Sequence, residues 1–326
     1  MTRTIGVLLM TCAALAALGA PLLAPHAPDA QFRSFLNAPP TFPHIVDDAG
    51  AWHPPFIYPW ALADHLEQRY DQDRSTRVPL RWLAGGHFVS SGDDARAPLM
   101  LAGADSFGRD VLSRLLFGAR ISLSLAFLST LGATVLGILV GGIAGYLGGL
   151  ADDALMRLSD FVIVLPAIYV ALALRAVLPL VLEPRDVFLL LTAIFAVVGA
   201  PLVARGVRSI VRTERRMEYA LAAQSLGAGA VRILGLHLLP ATRGFLAVQA
   251  TMLVPAFIVA EATLSFVGLG FPDPVASWGA MLHEGSNVRA LADFPWLLSP
   301  ALAIFLVVLA TNLVLAGRSE AARRLQ

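Results

Sequence analysis

Six stretches of the chain are apolar for long enough to cross a bilayer, and one long polar-aromatic segment interrupts them. A helix needs about 20 apolar residues to cross ~30 Å of hydrocarbon. Runs of that kind lie at about 4–24, 121–147, 158–180, 187–204, 245–269 and 297–317. They predict an all-α membrane protein with six transmembrane helices and both chain ends on one side. The first run follows Arg3. It is read as an uncleaved anchor, although Leu18-Gly19-Ala20 and Pro25-His26-Ala27 are small-residue sites of the kind a signal peptidase uses. The chain therefore divides into an anchor at 1–24, an extension at 25–104, a membrane domain at 105–318 and a tail at 319–326.

The extension is rich in proline and aromatics, among them Pro39-Pro40, Trp52, Pro54-Pro55, Tyr58-Pro59-Trp60 and Trp82. Residues 60–72 read as a short helix and 77–90 as one or two strands. The segment is too short to promise a large core of its own. Two readings stand: a cap packed on the ends of the spans, or a docking surface for an external partner. In the second run Gly132, Gly137, Gly141, Gly142 and Gly145 recur. Small residues four apart let helices approach closely in lipid. Packing within the chain and packing between subunits remain equally open.

Between the fourth and fifth runs lies a short helix-forming stretch, about 217–227. Tyr219, Ala222, Ala223 and Leu226 fall on one helical face, small in the middle and larger at its ends. Gly227 and Gly229 end or bend the helix. Pro240 suits the first turn of the helix that follows. Such a helix has two physical readings, a handle gripped by a cytoplasmic protein or an amphipathic helix resting on lipid headgroups.

Composition supports the membrane class: 57% of residues are hydrophobic, 14% are charged, and mean hydropathy is +0.70. All 24 basic residues are arginine. Without lysine the chain has no P-loop and no Schiff-base chemistry. The single Cys12 excludes an internal disulfide and reads as core-like or lipid-facing. The seven histidines show no paired metal-ligand spacing, so no catalytic, metal or cofactor site is expected.

Charge placement sets orientation. The loop 205–243 carries seven arginines against Glu214 and Glu218, a balance of +5. The loop after the fifth run holds Asp273, Glu284, Arg289 and Asp293, a balance of −2. Arginine concentrates on the cytoplasmic side. The 205–243 loop, both termini and Arg318, Arg323 and Arg324 are therefore expected inside, and the extension outside. Arg109, Arg114 and Arg120 suit the headgroup region, and Arg175 snorkels outward. Acids within spans are costly and face a bundle interior or a wet path. Asp160 is expected to pair with Arg157 near the cytoplasmic end. Glu261 is left between a satisfied acid and a path residue.

Ala222-Ala223, Gly227 and Leu239-Pro240 resemble the EAA loop of ABC importer permeases, with the family's separation of 13 between Gly227 and Pro240. Leu221 stands where that pattern has glutamate, and His237 where isoleucine is usual. Glu218-Tyr219 before the alanines is similar to the peptide-importer branch. Phe107 to Leu123, Met156 to Asp160 with Pro166, Glu261 to Gly270, and Ser277-Trp278-Gly279 resemble the C-type dipeptide and oligopeptide permeases. The resemblance covers about 105–318.

It implies the type I ABC importer permease fold in the inner membrane, with an extended periplasmic segment between helices 1 and 2. It also implies half of a translocation pore for peptides or related small solutes. ATPase coupling would fall to Glu218, Tyr219, Ala222, Ala223, Gly227, Leu239 and Pro240, and a translocation path to Glu261 and Ser265. The implied partners are a B-type permease in a heterodimer, cytoplasmic ABC ATPase subunits, a solute-binding protein and membrane lipid, with no nucleic acid and no ATPase site in this chain. A non-transporting receptor or scaffold using 25–104 is the rival. A secondary transporter would show an inverted repeat, and none is visible.

Overall fold

The computed structural model of the chain describes residues 2–64, 68–166, 169–170, 183–286 and 292–323. Two compact units emerge, one built from Met1–Val7, Ser124–Leu264 and Val308–Gln326, the other from Leu8–Leu123 and Ser265–Val307. Among the described residues, the α-helices of four residues or more are α1 (Thr2–Leu18), α2 (Ala20–Leu23), α3 (Val111–Leu147), α4 (Gly149–Val164), α5 (Pro184–Glu214), α6 (Glu218–Ser225), α7 (Arg243–Phe266), α8 (Trp278–Glu284) and α9 (Ser299–Arg323).

Among the described residues, four helical stretches are long and apolar enough to cross a membrane: Val111–Leu147, Pro184–Glu214, Ala230–Phe266 and Pro295–Gly317. The helix Thr2–Leu18 is apolar but shorter. The expected third span enters through α4; its residues 167–168 and 171–180, Arg175 among them, lie outside the described residues, as do Arg289 and Arg324. Phe127, Leu131, Leu139, Leu302 and Phe305 are exposed on the long helices. Apolar faces of that kind are normal against lipid and rare against water.

In the first unit the glycines of α3 pack on α5. A Cβ on Gly132 would meet the Ala196 methyl, one on Gly137 would collide with Val203, and one on Gly141 with the Ala204 carbonyl. One on Gly145 would lie 2.7 Å from the Arg208 carbonyl. These glycines thus serve packing inside the chain, which resolves the choice that the sequence left open. Lipid gives no hydrophobic drive for helices to associate, so close backbone approach and dispersion must hold them. On α5, Gly199 and Gly206 make room in turn for Phe257 and Phe245 of α7. Phe195 stacks on Phe257 with ring centroids 5.4 Å apart.

The second unit departs from the all-α expectation. Between α2 and α3 its described residues form six strands: β1 (His44–Val46), β2 (Trp52–Ile57), β3 (Trp60–Asp64), β4 (Arg69–Gln72), β5 (Val78–Trp82) and β6 (Val89–Ser91). A four-stranded antiparallel sheet has the order β1-β2-β5-β6, and β3-β4 is a separate hairpin. The helix expected over 60–72 is that hairpin, with Trp60 opposite Gln72 and Leu62 opposite Tyr70. The reason is alternation: Trp60, Leu62 and Asp64 are half-buried while Ala61 and Ala63 are exposed, a period of two. The strands expected over 77–90 are β5 and β6. Phe35, Ala38, Tyr70, Met100 and Ala104 form one small core, and Ile57, Val78, Ala97 and Leu99 another.

Arg109 and Arg114 are not at a headgroup surface. Both are buried, Arg109 to 1% exposure. Arg109 donates from Nε to Asp105 at 2.7 Å, from Nη1 to Asp273 at 3.1 Å and from Nη2 to Glu284 at 2.8 Å. Arg114 Nη2 donates to the other Glu284 oxygen at 2.8 Å. Helix α3 starts at Val111, so Arg109 precedes it and Arg114 lies in its first turns. Asp110 caps it, accepting from the Leu112 and Ser113 amides. Ser277 caps α8, and Trp278 Nε1 donates to the Leu115 carbonyl at 3.0 Å. Arg120 remains exposed over the Phe117 ring.

His26 is buried with its ring nitrogens 3.5 Å from Asp94 and 3.6 Å from Asp110. Burial lowers its pKa, but the two carboxylates outweigh burial and raise it from 6.5 to about 9.

Two outcomes follow. Gly137→Leu forces the α3–α5 contact apart and lowers the thermal midpoint of the purified chain in detergent, at a cost of about 1–3 kcal/mol. The His26 contribution has the sign of a group whose folded pKa is raised: present below 6.5 and lost as pH rises through about 9. The melting temperature therefore falls across that window, and His26→Gln flattens the fall.

Candidate functional site

The segment between α5 and α7 is fastened at its α5 end and presents a largely exposed helix beyond it. Arginines near the C-terminal end of α5 fasten it to its neighbours. Arg205 pairs with Asp160, so the partner of that acid is not Arg157. Arg208 grips Asp152 with two nitrogens, Nη2 at 2.6 Å. Arg215 donates to the Tyr146 carbonyl and lies 5.1 Å over the Tyr146 ring.

Helix α6 begins after an extended Met217, with Glu218 in its first turn, where a negative charge suits the helix dipole. Ala220 is its one buried side chain and seats it. Tyr219 and Ala222 are exposed, Ala223 is half-buried, and Leu226 is 88% exposed. The Tyr219 hydroxyl donates to Glu214 at 2.6 Å, and its ring lies 6.5 Å from His237. The face read from the sequence is therefore presented outward on a positioned helix.

The helix ends at Gly227, whose φ is +81°. The Gly227 amide donates to the Gln224 carbonyl at 3.0 Å and the Ala228 amide to the Ala223 carbonyl at 3.1 Å. That pair of bonds is a Schellman motif, which needs a left-handed residue at this position. Nothing lies within 4 Å of a Cβ built on Gly227, so conformation and not space selects glycine there. Gly229 has an ordinary φ of −69° and opens the next turn. A π-helical turn, Ile233–Leu238, and a 3-10 turn, Leu239–Thr242, lead without a break into α7. Leu239 and Pro240 are half-buried, with Pro240 in the first turn as expected.

Glu261 and Ser265 sit one turn apart on α7, and both are buried, Glu261 to 0% exposure. A Cβ on Gly270 would strike the Ser265 side chain, so the chain after α7 folds back on that residue.

Residues 137–318 match the family described as the binding-protein-dependent transport system inner membrane component. The chain belongs to that family. It is similar to the di/tripeptide transport system permease protein of Pseudomonas aeruginosa, 33% identical over 97% of this chain and 86% of that protein. It is also similar to the oligopeptide transport system permease protein of Bacillus subtilis, 36% identical over 67% of this chain and 70% of that one. The dipeptide transport system permease protein of the same species is 38% identical over 67% of each chain. As a transport-system inner membrane component, the chain is a multi-pass membrane protein, and α6 with its flanking turns falls inside the matched residues.

The ion network of Asp105, Arg109, Arg114, Asp273 and Glu284 escaped the sequence reading. Its bonded members are up to 175 residues apart. The available signal was that Arg109 and Arg114 lie in a stretch already singled out, Phe107 to Leu123, and Asp273 and Glu284 in the loop after α7; Asp105 lies outside both.

Proposed function

We propose that the chain forms half of the translocation pore of an ATP-driven importer for peptides, with α6 as the element that its ATPase subunits grip. The observation that carries this is the exposed, seated helix: Leu226 and the Tyr219 face stand free while Ala220, the Tyr219–Glu214 bond and the Schellman end fix its direction. A push on α6 passes through the unbroken turns 230–242 into α7. The arginine balance of the 205–243 loop supports a cytoplasmic α6 and cytoplasmic termini, with 25–104 outside. Peptide as the solute rests on what the similar permeases are named for. The family supports ATPase and solute-binding partners, and the branch resemblance supports a distinct B-type permease as the other half of the pore. Glu261 and Ser265, buried here, join the path when the bundle rearranges to open.

Affinity purification of the tagged chain from native membranes tests the assembly. A second permease and a Walker-motif ATPase are expected in the eluate, and Leu226→Asp removes the ATPase while keeping the permease. Purification of the chain alone, beside an intact control importer, refutes the reading. Gly227→Val costs roughly 1–2 kcal/mol of left-handed strain at the end of α6. It leaves the protein inserted and uncouples ATP hydrolysis from uptake, whereas Gly227→Asn, which tolerates the conformation, retains uptake. Both are read by peptide uptake and ATPase assays in proteoliposomes.

A further inference from the structure

The turn between β5 and β6 is tied to the end of the first apolar helix. The Phe88 amide donates to the Leu22 carbonyl at 2.6 Å, and His87 Nδ1 donates to the Ala24 carbonyl at 2.7 Å. The last carbonyls of a helix have no partner within it. At the edge of hydrocarbon, where water is scarce, they need one. The turn supplies it, so residues 87 and 88 are held at the depth where the chain leaves α2.

The same turn presents apolar side chains outward. Leu83 is 71% exposed and Trp82 is 54% exposed, and Phe88 is also exposed. Trp82 and Phe88 meet edge to face with centroids 5.6 Å apart. Leu83 has a φ of +52°, a conformation that a leucine avoids, and its amide bonds the Phe88 carbonyl at 3.0 Å. Backbone strain is thus accepted at a residue whose side chain gains nothing from burial. Leu15 and Leu18 of α1 and Leu22 and Leu23 of α2 are exposed as well, and Leu22 is the residue whose carbonyl the Phe88 amide bonds.

We propose that the Trp82–Phe88 turn is an interfacial anchor, with Trp82, Leu83 and Phe88 inserted at the headgroup level of the bilayer. Aromatic rings with an apolar body and a polar edge settle at that depth, and leucine reaches the acyl boundary below it. The assignment rests on the reading of the first apolar helix as a membrane anchor. It gives the extension a second attachment to the membrane, set by lipid and not by a protein partner.

The test uses the full chain in its assembled importer, in nanodiscs of phosphatidylcholine and phosphatidylglycerol. An environment-sensitive fluorophore is placed at Leu83→Cys in a Cys12→Ser background, and separately on the native Cys12. Nitroxide lipids labelled at the headgroup are expected to remove more than half of the emission at position 83, and iodide in the water to quench it weakly. Mid-chain nitroxide is expected to quench the Cys12 label. If Cys12 is quenched and position 83 is not, the anchor is refuted while the helix reading stands. An unquenched Cys12 label overturns the helix reading and the anchor with it. Shielding of position 83 by added solute-binding protein, without lipid quenching, assigns the turn to protein docking and refutes the proposal.

Discussion

Hydrocarbon neither accepts hydrogen bonds nor drives apolar surfaces together, and this constraint shapes the chain. Helices that cannot be pushed together by water must fit closely enough for dispersion and backbone contacts to hold them. The glycines of α3 meet that demand against α5, and Gly199 and Gly206 of α5 meet it against the phenylalanines of α7. Pro201 lies inside α5 and Pro255 inside α7, and a membrane helix tolerates such a proline where its surroundings re-satisfy the freed backbone group.

Charge is handled by the same logic. Arg109 and Arg114 are buried among three carboxylates, Asp105, Asp273 and Glu284, whose charge offsets the cost of taking the guanidinium groups out of water. Breaking one partner of such a group is costly, since the others remain buried and uncompensated. Arginine suits this role because its planar fork reaches several acceptors at once. Among the described residues, the arginines of α5 use the same chemistry at a wetter site, tying α4 and the end of α3 to the base of the α6 segment.

Much of the α6 region was legible from the chain. The amphipathic spacing of Tyr219, Ala222, Ala223 and Leu226 and the glycine at position 227 are local features, and local features appear in a linear pattern. The long apolar helices were legible for the same reason, although α3 extends a further ten residues toward its start than the apolar run implied. The extension misled because prolines and aromatics mask a short alternation, so residues 60–64 looked helical when cross-strand pairing with 69–72 makes them a strand.

The sequence by itself determined the membrane class, the apolar runs, the free helix between two of them and the family to which the residues point. These depend on composition and short-range periodicity. Only the tertiary structure decided that the α3 glycines serve contacts within the chain, that Arg109 and Arg114 are sealed inside an ion network, and that Asp160 pairs with Arg205. Each joins residues far apart along the chain, and no periodicity records which distant side chain will arrive opposite a given one.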